Sequence, residues 1–329
     1  MNYRKSEAKQ AAREQFHGLW AALTTPFTPD LELDEDGLRQ NMRYLTGKIG
    51  VKGVFCTGTM GEFWALTNSE RKRIVEIVVE EARRGGCKVI AHTPHHSAHE
   101  TVDLTRHAQE AGADFVILMN PYYPPMSEEL VYQWFEFVAA RVDIGIWMFD
   151  ARYSGYNLSP ELTARIAGIE NVCGIKCPRP PEHIARVKEL VGDKLVISSP
   201  SEANLLMHIR EFGMQVYQSS QTPYLFQTPS WRPLREYSDY AWAGKFSEAA
   251  EAHKALAPLR PLHQKWYYDQ WTNHKVVPVA YVKAWSEFMG MAGGPVRPGL
   301  PQITDTERAE LRIDLEQTGI LDRVERKVA

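Results

Sequence analysis

Lys176 ends the apolar run Val172-Cys173-Gly174-Ile175-Lys176 and is followed by Cys177, Pro178, Arg179 and Pro180. Such a run reads as a buried strand, and an ammonium at its last position is costly to desolvate unless it is paired or gives up its proton. Burial lowers a lysine's pKa, and the neutral amine that results can attack a carbonyl carbon to form an imine. An arbitrary lysine is salt-bridged or reaches solvent. Here the apolar run, together with few carboxylates at the other strand ends, favours the amine. A second set of candidates is the cluster His92, His95, His96 and His99, suited to proton transfer near neutral pH or to a metal. No ordered carboxylate completes a metal triad with it. Cys56, Cys87, Cys173 and Cys177 form no spaced framework, and the CxxxC of the last two is neither a zinc ribbon nor a redox pair.

Eight short, nearly continuous apolar runs must position these groups: residues 19–27, 51–58, 87–93, 114–120, 144–150, 172–176, 194–199 and 214–220. Continuous rather than alternating runs suit parallel strands covered on both faces. Helical patterns separate them. In residues 69–85, Ser69 can cap, Ile74, Ile77 and Val78 share a face, and Gly85 stops the helix, and residues 97–113 repeat that logic. Eight β/α units without a long linker or a phosphate-binding glycine loop predict a (β/α)8 TIM barrel over 17–246. A polar segment, 1–16, precedes it, and a C-terminal helical extension, 247–329, with an amphipathic piece near 305–318, follows.

The chain has 329 residues, 44% hydrophobic and 24% charged, with a net charge of −3. That balance fits a globular protein and gives no electrostatic footprint for nucleic acid or an anionic membrane. No stretch reaches the about 18 apolar residues of a membrane helix, and the start has no signal-like apolar region, so a cytoplasmic protein with a small-molecule partner is expected.

Chemistry in such barrels sits at the C-terminal strand ends. Those ends carry Thr24 and Thr25, Thr57 to Glu62, His92 to His96, Asn120 to Tyr123, Met148 to Tyr153, Lys176, Ser198 to Glu202, and Gln218 to Gln221. The ordered segments LTTPF, FCTGTMGEFWALTNSER, LMNPYYPPMSEE and GIKCPRP, spread over about 17–320, resemble the dihydrodipicolinate synthase and N-acetylneuraminate lyase superfamily of class I, Schiff-base aldolases. The resemblance implies a homotetrameric barrel, an imine between Lys176 and pyruvate or another 2-oxo acid, and no cofactor or metal. It implies that Thr59, Met60 and Gly61, with Thr25, hold the substrate carboxylate. Tyr123 would extend a hydroxyl relay across a subunit interface.

Two departures stand out. Met60 replaces a hydroxyl of that loop. On the fifth strand the family places an acid/base tyrosine and then an arginine, and anchoring on Gly155 puts Met148 and Tyr153 there. Methionine moves no protons. Tyr153, Tyr156, Asp150 and the histidines are the candidate replacements. Ser199, Ser201 and Glu202 could meet distal hydroxyls, although Ser201 could equally cap a helix. Trp20, Phe63, Trp64, Trp147 and Tyr217 lean toward an apolar substrate tail.

Three readings follow: an aldolase or hydratase-aldolase type lyase joining a 2-oxo acid and an aldehyde, dihydrodipicolinate synthase activity, or a non-catalytic 2-oxo-acid-binding barrel.

Overall fold

The computed structural model describes residues 2–123, 126–151, 154 and 156–324. The strands are β1 (Gly18–Ala22), β2 (Gly53–Cys56), β3 (Lys88–His92), β4 (Phe115–Leu118), β5 (Gly145–Phe149), β6 (Val172–Lys176), β7 (Val196–Ser198) and β8 (Val216–Ser220). They form one sheet in the order β7-β6-β5-β4-β3-β2-β1-β8, a nearly closed (β/α)8 barrel. β6 matches its apolar run residue for residue, and each of the other seven strands is shorter than its run. The ends of that order, β7 and β8, are joined by a side chain. Ser198 Oγ donates to the Gln218 and Val216 carbonyls at 2.9 and 3.2 Å and accepts the Gln218 N–H at 2.6 Å.

The chain divides into two compact units. The first comprises residues 1–20, 53–55 and 88–219. Its parallel registers align Ile90, Phe115 and Gly145 in one row and His92, Ile117, Trp147, Gly174 and Val196 in the next. A third row holds Phe149, Lys176 and Ser198. Successive strand residues face opposite sides, so these rows share the inner face and Leu118, Met148, Ile175 and Ile197 share the outer one. Phe16 closes the N-terminal end of the inner rows, its ring centroid 4.1 Å from that of Trp20 and 4.2 Å from that of Trp147. Trp20 and Trp147 are therefore floor packing, not a lining for substrate. Glycine makes room for them: a Cβ on Gly53 or on Gly174 would lie 2.2 Å from the indole of Trp20 or Trp147, respectively. The N-terminal helix Ala8–Gln15, within the polar segment, buries Ala8, Ala11 and Ala12.

The second unit comprises residues 21–52, 56–87 and 220–329. Its long helix, Asn68–Gly85, is capped by Thr67 in a capping box with Glu70, not by Ser69, and ends at Gly86 in the left-handed region at φ 65°. The helix expected near 305–318 spans Asp305–Gln317 behind a second such box, Thr304 with Glu307. Among the described residues no helix is long and apolar enough to cross a membrane.

The Gly174 contact generates a test. Gly174→Ala should destabilise the barrel by about 1–3 kcal/mol through overpacking, and Trp147→Phe in the same chain should recover part of the loss, as read by denaturant unfolding. An unchanged midpoint in Gly174→Ala would contradict the inner-face assignment.

Candidate active site

In the first unit, Lys176 ends β6 on the inner face, 6% exposed. Its Nζ lies 4.8 Å from the ring centroid of Phe55 and 4.6 Å from that of Phe149. Two ring faces return about 0.5–2 kcal/mol to an ammonium, whereas taking it out of water costs several kcal/mol. Desolvation wins, and burial lowers the Lys176 pKa to about 7. The lowered pKa favours the neutral amine, the state able to attack a carbonyl.

The register changes one expectation. Met148 is buried in the outer row with Leu118 and Ile175, and the side chain level with Lys176 on β5 is Phe149. Counting back from Gly155 pointed to Met148, and the register sets Phe149, not Met148, beside Lys176. Tyr153 lies outside the described residues.

The other proton-transfer candidates separate. Asp150 carries the guanidinium of Arg179, with Nε and Nη2 at 2.5 and 2.7 Å from its two oxygens, and also accepts the Leu158 N–H at 3.1 Å. Arg179 further donates to the Asn157 side chain, so the Cys-Pro-Arg-Pro run after β6 clamps the segment after β5. Asp150, Cys177 and His183 bring donor atoms within 4.8 Å of one another, but the cation already on Asp150 is Arg179. Tyr156 is pushed up to about 12, by burial first and then by its bond to Glu128. His95 accepts the Ser97 N–H at 3.0 Å, while His96 and His99 pack against Tyr122 and Phe137. His95 and His96 stay together, their ring centroids 4.1 Å apart, and of the four histidines only His92 stands in the inner rows. Its ring centroid lies 5.6 Å from that of Phe55 and 5.9 Å from that of Phe149.

Tyr217 is buried and donates to the Pro200 carbonyl at 3.0 Å. Ser199, just past β7, accepts the Ser201 N–H at 3.4 Å. Ser201 caps nothing: the next helix, Leu205–Phe212, begins at Asn204 without a side-chain cap. Tyr123 is 73% exposed on this chain.

In the second unit, Thr59, Met60 and Gly61 form a buried 3-10 turn after β2. Thr25 Oγ1 donates to the Gly61 carbonyl at 2.9 Å, and a Cβ on Gly61 would stand 3.4 Å from that same oxygen of Thr25. Thr57 and Glu62 bracket the turn in the left-handed region, at φ 52° and 56°. Such strain in non-glycine residues persists only where the surroundings hold it. What holds Glu62 comes from the C-terminal extension: Lys283 Nζ lies 2.6 Å from one carboxylate oxygen, and the Arg297 N–H donates to the other at 3.0 Å. Arg297 also pairs with Glu70 at 2.5 Å, which draws the Glu70 pKa down to about 2. Burial lowers the Lys283 pKa, and Glu62 opposes that fall. Neither Lys283 nor Arg297 is signalled by a local motif, and only the charge of Glu62 inside an otherwise apolar turn points to a distant cation.

The profile of the dihydrodipicolinate synthetase family matches residues 15–318. A 4-hydroxy-tetrahydrodipicolinate synthase from Nitrosococcus oceani is 38% identical over 313 residues, 93% of this chain and 99% of that protein. Among solved structures, dihydrodipicolinate synthase from Aquifex aeolicus superposes with a TM-score of 0.81 at 26% identity, covering 94% of this chain and 100% of the other. The prophage protein YagE of E. coli, solved in complex with pyruvate, does so with a TM-score of 0.78 at 25% identity, covering 92% and 99%.

The buried Glu62–Lys283 pair predicts a stability pattern. Lys283→Met leaves a carboxylate uncompensated and should cost about 3–5 kcal/mol, and adding Glu62→Gln should return part of that loss in denaturant unfolding. A single-mutant cost below about 1 kcal/mol would show that the pair does not hold the turn.

Proposed function

The chain belongs to the dihydrodipicolinate synthetase family, and we propose that it is a cytoplasmic, aldolase-type lyase in which Lys176 forms an imine with pyruvate or a related 2-oxo acid. The carrying observation is the burial of Lys176 between Phe55 and Phe149, which lowers its pKa to about 7. The amine attacks C2 of the 2-oxo acid, and water leaves with the carbonyl oxygen. The iminium then draws electrons from the C3–H bond. The enamine so formed adds through C3 to an aldehyde, and hydrolysis returns the amine. Run backward, the same steps cleave the aldol, and loss of the new hydroxyl gives the hydratase-aldolase variant. The covalent imine supplies the electron sink, so no further cofactor enters the proposal.

In this reading Thr59, Met60 and Gly61 receive the substrate carboxylate, with Thr25 fixing the turn through Gly61. Tyr217, Ser199 and Tyr153 are proposed to meet the remainder of the substrate. Exposed Tyr123 fits a relay completed by a second copy in a homotetramer. A phenyl ring beside the lysine favours an apolar aldehyde partner over one recognised by charge, and this separates the proposal from dihydrodipicolinate synthase activity, which the name of the Nitrosococcus oceani relative supports.

Borohydride added with pyruvate should reduce the imine and leave a reduced pyruvyl mass on Lys176, and Lys176→Ala should abolish it. Only the neutral amine attacks, so the trapping rate should rise with pH through about 7 and then level. Label on another lysine, or a rate still climbing toward pH 10, would overturn the assignment. Trapping without turnover of any aldehyde would instead favour a binding barrel.

A further inference from the structure

The imine chemistry needs a base that takes a proton from C3 and an acid that returns one to oxygen, and the rings beside Lys176 can do neither. Phe55 and Phe149 carry no exchangeable proton. His92 packs on both of them, its ring at 5.6 and 5.9 Å, while Lys176 Nζ sits on the same two rings at 4.8 and 4.6 Å. The imidazole ends β3 on the inner face and is 1% exposed, so it is held with few rotamers and away from bulk water. Asp150 is occupied by Arg179, Tyr156 is tied to Glu128, and the hydroxyl of Tyr217 is directed to the Pro200 carbonyl.

We propose that His92 is the proton-transfer residue of this site, shuttling one proton between C3 of the imine-bound 2-oxo acid and the oxygen of the aldehyde partner. The proposal rests on the imine reading above. Neutral imidazole takes the C3 proton, the C3–H electron pair becomes the C2=C3 bond, and the C=N pair moves onto the Lys176 nitrogen. When C3 bonds to the aldehyde carbon, the electron pair released to the aldehyde oxygen accepts that same proton from imidazolium. Neither atoms nor charge are left over, and His92 returns neutral.

The test needs no knowledge of the aldehyde. Wild-type enzyme incubated with pyruvate in D2O should wash deuterium into the methyl group, followed by proton NMR. His92→Gln should slow this exchange by about 10²–10⁴-fold, the usual worth of a general base, while borohydride still traps pyruvate on Lys176. His92→Asn is run beside it, and circular dichroism checks that both fold. Adding Phe149→Tyr to His92→Gln should restore part of the exchange, because the new phenol stands level with Lys176. Exchange within about threefold of wild type in a folded His92 variant would overturn the proposal, as would a wild type that traps pyruvate but exchanges no protons. Loss of trapping in both folded variants would overturn it too, by making His92 necessary to the imine itself. A wild type that does not trap at all would instead defeat the imine reading.

Discussion

An amine cannot be both buried and charged without compensation, and the first unit is arranged around that constraint. At Lys176 the surroundings are two phenyl rings, whose attraction for a cation is smaller than the hydration it loses. The protonation equilibrium yields, not the fold. Lys283 shows the opposite solution in the second unit. It is equally buried, but a carboxylate lies 2.6 Å away, and that residue serves as an anchor. Both lysines are buried, with two phenyl rings beside Lys176 and the Glu62 carboxylate beside Lys283.

The rows of the barrel explain why the rings can be there. Parallel registers bring Phe149 level with Lys176 and leave Met148 facing outward with Leu118, Ile175 and Ile197. Below them Gly174 and Gly53 give up their side chains so that Trp147 and Trp20 can fill the floor against Phe16. On the outside, Arg179 and Asp150 fix the segments that follow β5 and β6.

Much of this could be read in the sequence. The eight apolar runs announce parallel strands, and the lysine at the end of one announces a desolvated amine, because both signals are local. Registers are not local. Counting from Gly155 points to Met148, but the register brings its neighbour Phe149 level with Lys176, and one residue along a strand means the opposite face. The histidines looked like a cluster because they are close in sequence, yet β3 ends at His92 and the rest follow the loop and helix outward. Ser69 yielded to Thr67 as helix cap because only Thr67 has Glu70 three residues on to complete a capping box. The anchors of the turn at Glu62, Lys283 and Arg297, lie more than two hundred positions downstream, where no spacing rule reaches.

Burial lowers the pKa of Lys176, and that shift can be read without substrate. Enzyme labelled with 13C at the lysine Cε positions should show one resonance titrating near pH 7 among others titrating near 10, and that resonance should vanish in Lys176→Ala. In Phe149→Ala, which admits water to one side of the amine, its midpoint should move upward. If every lysine resonance titrates near 10, or the low midpoint survives in Lys176→Ala, burial does not set the chemistry of this site.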